Sequence, residues 1–306
     1  MFAALLTTVL FSISVVCGHR SARLIGGTEA NFWRLTCATL FLSVWAYGFG
    51  HGLEGDAFPM FLVSGILGIG IGDVALFQAL PRLGSRLSLL LIQCLTAPFG
   101  ALIEWYWLKT RLSTWQVVFG LTILAGVGIA LTPGRESKHT RRELWIGTLF
   151  CILAALGGAS GAVLSRKAYS VVHASSMHID GANAAFQRIV GGLLVGGICL
   201  LIVKRREFRI QSHASPKTIV EVSAKKWRAV WPWVLANSLA GQTLGVSCMQ
   251  LALEHTPTGI VLAIIATTPI VVIPFAFAFE GERPTRHSLA GGAIAVAGVI
   301  ALVLSR

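Results

Sequence analysis

Asp73 lies about fourteen residues into an apolar stretch, with Gly68, Gly70 and Gly72 before it and Val74-Ala75-Leu76 after it. A carboxylate in such surroundings costs about 2.5–3.5 kcal/mol to place in hydrocarbon and belongs in a bundle interior or a hydrated cavity. Two kinds of chemistry suit it: binding a substrate or exchanging a proton. The alternative is a structural carboxyl held by a neighbouring helix. Gln93, Thr96, Gly100 and Glu104 fall at i, i+3, i+7 and i+11, one face of a helix. Pro98 removes a backbone donor within that face and frees a carbonyl. Glu104 also stands beside Trp105 and Trp107, as a residue near a membrane interface would. Thr267, Thr268 and Pro269 repeat the kinked pattern without an acid, and Ser238, Gln242 and Gln250 give the stretch before them a polar side. Each of these alone reads as an interhelical hydrogen bond; together they form a candidate polar lining for substrate or protons. Arg34 and Arg188 open two equivalent apolar stretches, where an arginine either snorkels to headgroups, closes a gate or binds an anion.

Other chemistry is poorly supplied. The eight histidines fall at the ends of apolar stretches or between them, and no HExxH, GxSxG or Walker A pattern occurs. The six cysteines all lie inside apolar stretches without paired spacing. The chain is therefore not expected to be an enzyme, and no cofactor or metal is expected. An intramembrane enzyme, or a channel with a polar intramembrane site, is the alternative class.

The elements that hold these residues are membrane spans. Of 306 residues, 55% are hydrophobic and 12% charged, and mean hydropathy is +0.74. A span needs about 20 apolar residues to cross ~30 Å of hydrocarbon. Ten candidates lie at about 2–18, 32–50, 59–80, 86–107, 114–132, 145–168, 184–203, 229–253, 258–279 and 286–304. Tryptophans gather at their ends, as in an interfacial belt. Small residues four apart (Gly68/Gly72, Gly157/Gly161, Gly192/Gly196, Gly241/Gly245) read as close packing seams. The net charge of +12 sits between spans, the layout of a topology signal; nucleic acid is excluded as a partner.

The stretch 67–132 recurs at 241–303, offset by 171 or 172 residues: Gln250 answers Gln78, Thr267-Thr268-Pro269 answers Thr96-Ala97-Pro98, and Val296-Ala297-Gly298-Val299 answers Leu124-Ala125-Gly126-Val127. Ten spans then divide into repeats at 1–132 and 145–306, joined by a linker at 133–144. Five is odd, so the second copy enters the membrane inverted. Charge agrees, because the Lys/Arg bias of alternate loops reverses between halves. Over the chain, one side collects 18 Lys/Arg and the other 5. The positive-inside rule places the richer side in the cytoplasm and both termini outside.

With this pattern the sequence resembles the EamA family of the drug/metabolite transporter superfamily over nearly its whole length. The residues that carry the resemblance are Phe32-Trp33-Arg34 and Phe186-Gln187-Arg188, the mid-span prolines Pro98 and Pro269, the turn Gly281-Glu282-Arg283-Pro284-Thr285 and the Ala-Gly-Val endings. Lys109-Thr110 replaces the Gly-Glu of that turn in the first half. The resemblance implies an all-α integral membrane fold of two inverted five-helix repeats and a secondary transporter of small metabolites or drug-like solutes, commonly an exporter. Alternating access around a midplane cavity, with protons as candidate coupling ion, follows from that expectation, as does a multi-pass place in a bacterial inner membrane. Family members are usually drawn with cytoplasmic termini, opposite to the charge count here.

Overall fold

The structure, a computed structural model, describes residues 2–108, 114–130, 140–175, 178–210, 216–255, 261, 264–281 and 286–304. These residues are almost entirely helical. Helix α1 (Phe2–Ile25) passes to α2 (Gly27–Gly48) through a single residue, Gly26. Its φ of 89° lies in the left-handed region that glycine occupies without strain. Helix α3 (Phe58–Gly65) widens into a π segment (Ile66–Ile71) and continues as α4 (Gly72–Leu108). Helix α4 is broken at Gly84, whose φ of 77° and ψ of 169° are not helical. The turn expected at Pro81-Arg82-Leu83-Gly84 is thus a sharp bend within one run of helix.

Helices α5 (Thr114–Ala130), α6 (Arg141–Ala174) and α7 (Gly181–Ile210) follow. Thr140 and Glu143 form a reciprocal capping box at the start of α6. The Asp180 carboxylate accepts the backbone N–H groups of Ala182 (2.8 Å) and Asn183 (3.0 Å) at the start of α7. Helix α8 (Pro216–Asn237) widens into a second π segment (Ser238–Gly245) and continues as α9 (Val246–His255). Helices α10 (Thr268–Glu280) and α11 (Arg286–Leu304) complete the chain. The two π segments begin 172 residues apart, the offset of the sequence repeat.

The outer surface is apolar as well as the core, and the interior also holds polar side chains. Large apolar residues face outward, among them Leu40, Val44, Leu194, Ile198 and Leu201. Thr7, Ser12, Asn31, Arg34, Asn183, Gln187, Arg188 and Gln250 are buried inside. Four of the described helical stretches, Phe2–Ile25, Phe58–Gly100, Arg141–Ala174 and Gly181–Arg205, are long and apolar enough to cross a bilayer. Helical structure runs past the expected spans at several ends: α1 reaches Ile25 rather than residue 18, and α7 reaches Ile210 rather than 203. Polar residues end an apolar stretch without ending a helix.

Packing joins the two halves throughout. Helix α2 packs on α7, and α5 on α11. Helix α1 packs on α8, the second π segment and α10, while α6 packs on α3, the first π segment and α4. The glycine seams make the closest approaches. A Cβ at Gly161 would stand 2.9 Å from the Gly68 Cα and the Ser64 carbonyl, and one at Gly157 would stand 2.6 Å from the Leu67 carbonyl. Backbone therefore meets backbone between α6 and the first π segment. Residues 131–139, which hold most of the expected linker 133–144, and the turns at 109–113 and 282–285, including Arg283-Pro284-Thr285, lie outside the described residues; the end of that linker, from Arg141, is already the first turn of α6.

Candidate functional site

The two π segments face a common interior. In the first, the Gly72 N–H reaches back five residues to the Leu67 carbonyl, and Asp73 follows at once. A π turn holds one more residue than an α turn, which suits glycine-rich Ile66-Leu67-Gly68-Ile69-Gly70-Ile71, and such segments recur at functional sites. In the second, Gln242 lies within the π segment itself. Asp73 Oδ2 accepts a hydrogen bond from Arg34 Nη2 at 2.6 Å and another from Gln242 Nε2 at 2.7 Å. Arg34 Nη2 also donates to Asn31 Oδ1 at 2.8 Å, and its guanidinium lies 4.8 Å from the centre of the Phe77 ring.

Around this cluster is a cavity of about 180 Å³. Its wall carries Asp73, Arg34, Arg188, Gln93, Thr96 and Gln242, so six of the residues singled out in the sequence meet in one place. Arg34 and Arg188 are only 3% and 5% exposed. Both face the cavity rather than the outer surface of the helices. Thr96 donates to the Ile92 carbonyl at 2.6 Å. The remaining wall is mainly apolar, with Phe11, Leu76, Phe77, Leu89 and Met249 among its members.

The other candidates lie elsewhere. Gln250 is fully buried and its Oε1 accepts from Ser165 Oγ at 2.9 Å, tying α9 to α6 away from the cavity wall. Thr267 donates to the Ile264 carbonyl at 2.6 Å, and Thr268 to that of Ile265. Both hydroxyls cap a turn and neither lines the cavity. Pro269 stands in the first turn of α10, where no N–H is required of it, rather than inside a continuous helix. Pro98 does lie inside α4, beyond the cavity wall. The side chain of Glu104 lies outside the described residues.

Two polar wall residues escaped the sequence reading. Ser14 Oγ donates to Asn237 Oδ1 at 2.6 Å, linking α1 to α8 at the cavity edge. Asn31, the acceptor for Arg34, also escaped it, although its place three residues before Arg34 puts both on one helical face. Among the described residues, no group of three or more His, Cys, Asp or Glu side chains is placed to hold a metal ion, and none of the six cysteines is in a disulfide.

The comparisons with known proteins agree in kind. A solved crystal structure matches this fold with a TM-score of 0.61 at 15% identity, covering 98% of this chain and 96% of its own. In all, 24 chains of solved structures match significantly. No curated protein matches the sequence significantly. The EamA-like transporter family matches twice, over residues 1–132 and 145–304. Those two matches cover nearly the whole chain, and with its apolar helices they make the protein an integral membrane member of the EamA-like transporter family, within the drug/metabolite transporter superfamily.

Proposed function

We propose that the protein is a secondary transporter that exports a small metabolite or drug-like solute by alternating access. The solute occupies the cavity while two inverted five-helix halves rock about it. Ten crossings follow if α3 with α4 as far as Gly84 is the third, the rest of α4 the fourth, and α8 with α9 the eighth. The helix partnerships support this reading. Helix α2 meets its counterpart α7, α5 meets its counterpart α11, and the partners of α1 answer those of α6. Equivalent π segments flank the cavity from either half, in the manner of interrupted helices at transporter midplanes.

The observation that carries the proposal is the bridge at Asp73. Its carboxylate belongs to the first half and binds Gln242 of the second, beside Arg34, on the cavity wall. The charge on Asp73 thus holds the halves together. Protonation removes that charge and weakens both contacts, so a proton arriving from one side favours separation there. This makes Asp73 the proton-coupling group and Gln93 and Thr96 polar contacts for solute.

Metabolite profiles of the medium around cells expressing wild-type protein and Asp73→Asn test this reading. Wild-type cells are expected to accumulate a specific small solute outside against its gradient. The Asn variant, correctly inserted, should lose that accumulation while keeping downhill exchange. Full gradient-driven accumulation by Asp73→Asn would overturn the coupling role.

A further inference from the structure

We infer that the cavity takes a solute with an anionic group, a carboxylate, phosphate or sulfonate, held against the Arg188 guanidinium. This rests on the reading of the cavity as a solute site. Arg34 and Arg188 are each the eighth residue of their helices, α2 and α7, and both reach the same cavity. Their fates differ. Arg34 donates to Asp73 and Asn31 and lies over Phe77. Arg188 has no hydrogen bond or ion pair among the described residues; the Nε of each arginine is buried without a partner, but only Arg34 has a partner at Nη2. Its Nη2 reaches the cavity wall at Gly68.

The cause is one position in the repeat. Asp73, the counter-ion of Arg34, is answered 172 residues later by Gly245, which has no side chain to offer. Asp73 acts on Arg188 only through space: its hydrogen bonds go to Arg34 and Gln242, both at Oδ2, and none to Arg188. Two guanidinium groups and one carboxylate leave the cavity one positive charge in excess. A buried guanidinium without a counter-ion is costly to keep. Arg is also the side chain best shaped to grip a planar carboxylate or a phosphate through two hydrogen bonds. An anionic group brought by the solute completes the pair. The apolar residues on the rest of the wall, Leu76, Phe77 and Leu89 among them, suit an aromatic or branched aliphatic body. The Tyr169 hydroxyl, buried without a partner, is a second group near Arg188.

The test uses the purified full chain in phosphatidylcholine nanodiscs and follows its melting temperature with benzoate, phenyl phosphate and the neutral isostere benzamide. The anions are expected to raise it by several degrees in a concentration-dependent way, and benzamide to leave it unchanged. Arg188→Met should remove that rise while raising the resting melting temperature, because it deletes an unpaired buried charge. Arg188→Lys should keep part of the rise. Equal stabilisation by benzamide, a rise that persists in Arg188→Met, or a lower resting melting temperature in that variant would each overturn the subsite. Stabilisation by added phosphatidylglycerol in place of the soluble anions would also overturn it, by assigning the guanidinium to a lipid headgroup. Reconstituted vesicles separate this from the transport reading. If Arg188→Met releases the natural solute at the wild-type rate, the subsite falls and transport stands. If anions bind at Arg188 but wild-type protein moves no solute, transport falls and the subsite stands.

Discussion

Replacing Asp73 by Asn keeps the shape of the side chain and an oxygen able to accept from both Arg34 and Gln242, but removes the charge. The side chains of Arg34 and Asp73 are 4% and 16% exposed and 2.6 Å apart, so their pairing is largely shielded from water. Breaking a buried pair by removing one partner costs about 3–5 kcal/mol, because the surviving charge is left uncompensated. Retained hydrogen bonds, each worth about 1 kcal/mol, and partial contact of Asp73 with the cavity bring the expected loss to the lower end, about 3 kcal/mol. Arg34→Met alone should cost a similar amount, whereas the double variant Arg34→Met/Asp73→Asn removes both charges and should recover to within about 1 kcal/mol of wild type, far less than the two single costs added. Equilibrium unfolding in mixed micelles, monitored by tryptophan fluorescence, measures all four corners of the cycle. A cost below about 1 kcal/mol for Asp73→Asn, or no recovery in the double variant, would refute the bridge as a buried ion pair.

Three further outcomes are expected. Gly65→Ala should prevent folding or cost more than about 3 kcal/mol, since its Cβ would fall 1.8 Å from the Arg188 carbonyl oxygen; Gly48→Ala, with nothing within 4 Å, should be neutral or stabilising by about 0.5 kcal/mol, and yields of folded protein compare them. Ser165→Ala removes the donor to buried Gln250 and should cost about 1–3 kcal/mol without changing solute release, because that bond lies off the cavity wall. A cysteine at Ser212, within the segment 204–228 that carries eight Lys/Arg, should react with a membrane-impermeant thiol reagent only after lysis; labelling in intact cells would reverse the orientation given by the charge count.

Much of this architecture is written in features that act locally. Apolar length predicts helices, and the recurrence of Thr-x-Pro and Ala-Gly-Val at a fixed offset marks a duplication. Asp73 stands out because an acid among glycines and isoleucines has few bland explanations, and Arg34 and Arg188 stand out for the same reason. Which of them meet is another matter. Helical periodicity places Gln93 and Thr96 on one face, yet it cannot distinguish that face from the one holding Gln250, which bonds Ser165 across 85 residues of chain. The π segments were invisible because their glycine spacing also reads as a packing seam, and Gly68 and Gly72 serve as both. Thr267 and Thr268 mislead for a simple reason: a hydroxyl three residues after a carbonyl satisfies itself locally at the end of a turn. Ser14 and Asn237 were missed because a single small polar residue in an apolar run is ordinary in close-packed helices.

If solute crosses through the cavity beside Asp73, plugging that cavity should stop it. Gly158 lies on its wall, and a Cβ there would meet nothing closer than the Thr96 hydroxyl at 3.9 Å. Gly158→Phe is therefore expected to put a ring into that space. Vesicles reconstituted with wild type or Gly158→Phe are loaded with a metabolite extract, and mass spectrometry follows what appears outside. Wild-type vesicles should release at least one small solute faster than protein-free vesicles, saturably. The plugged variant, with an unchanged melting temperature, should release it no faster than protein-free vesicles do. Unimpaired release through Gly158→Phe would contradict the account.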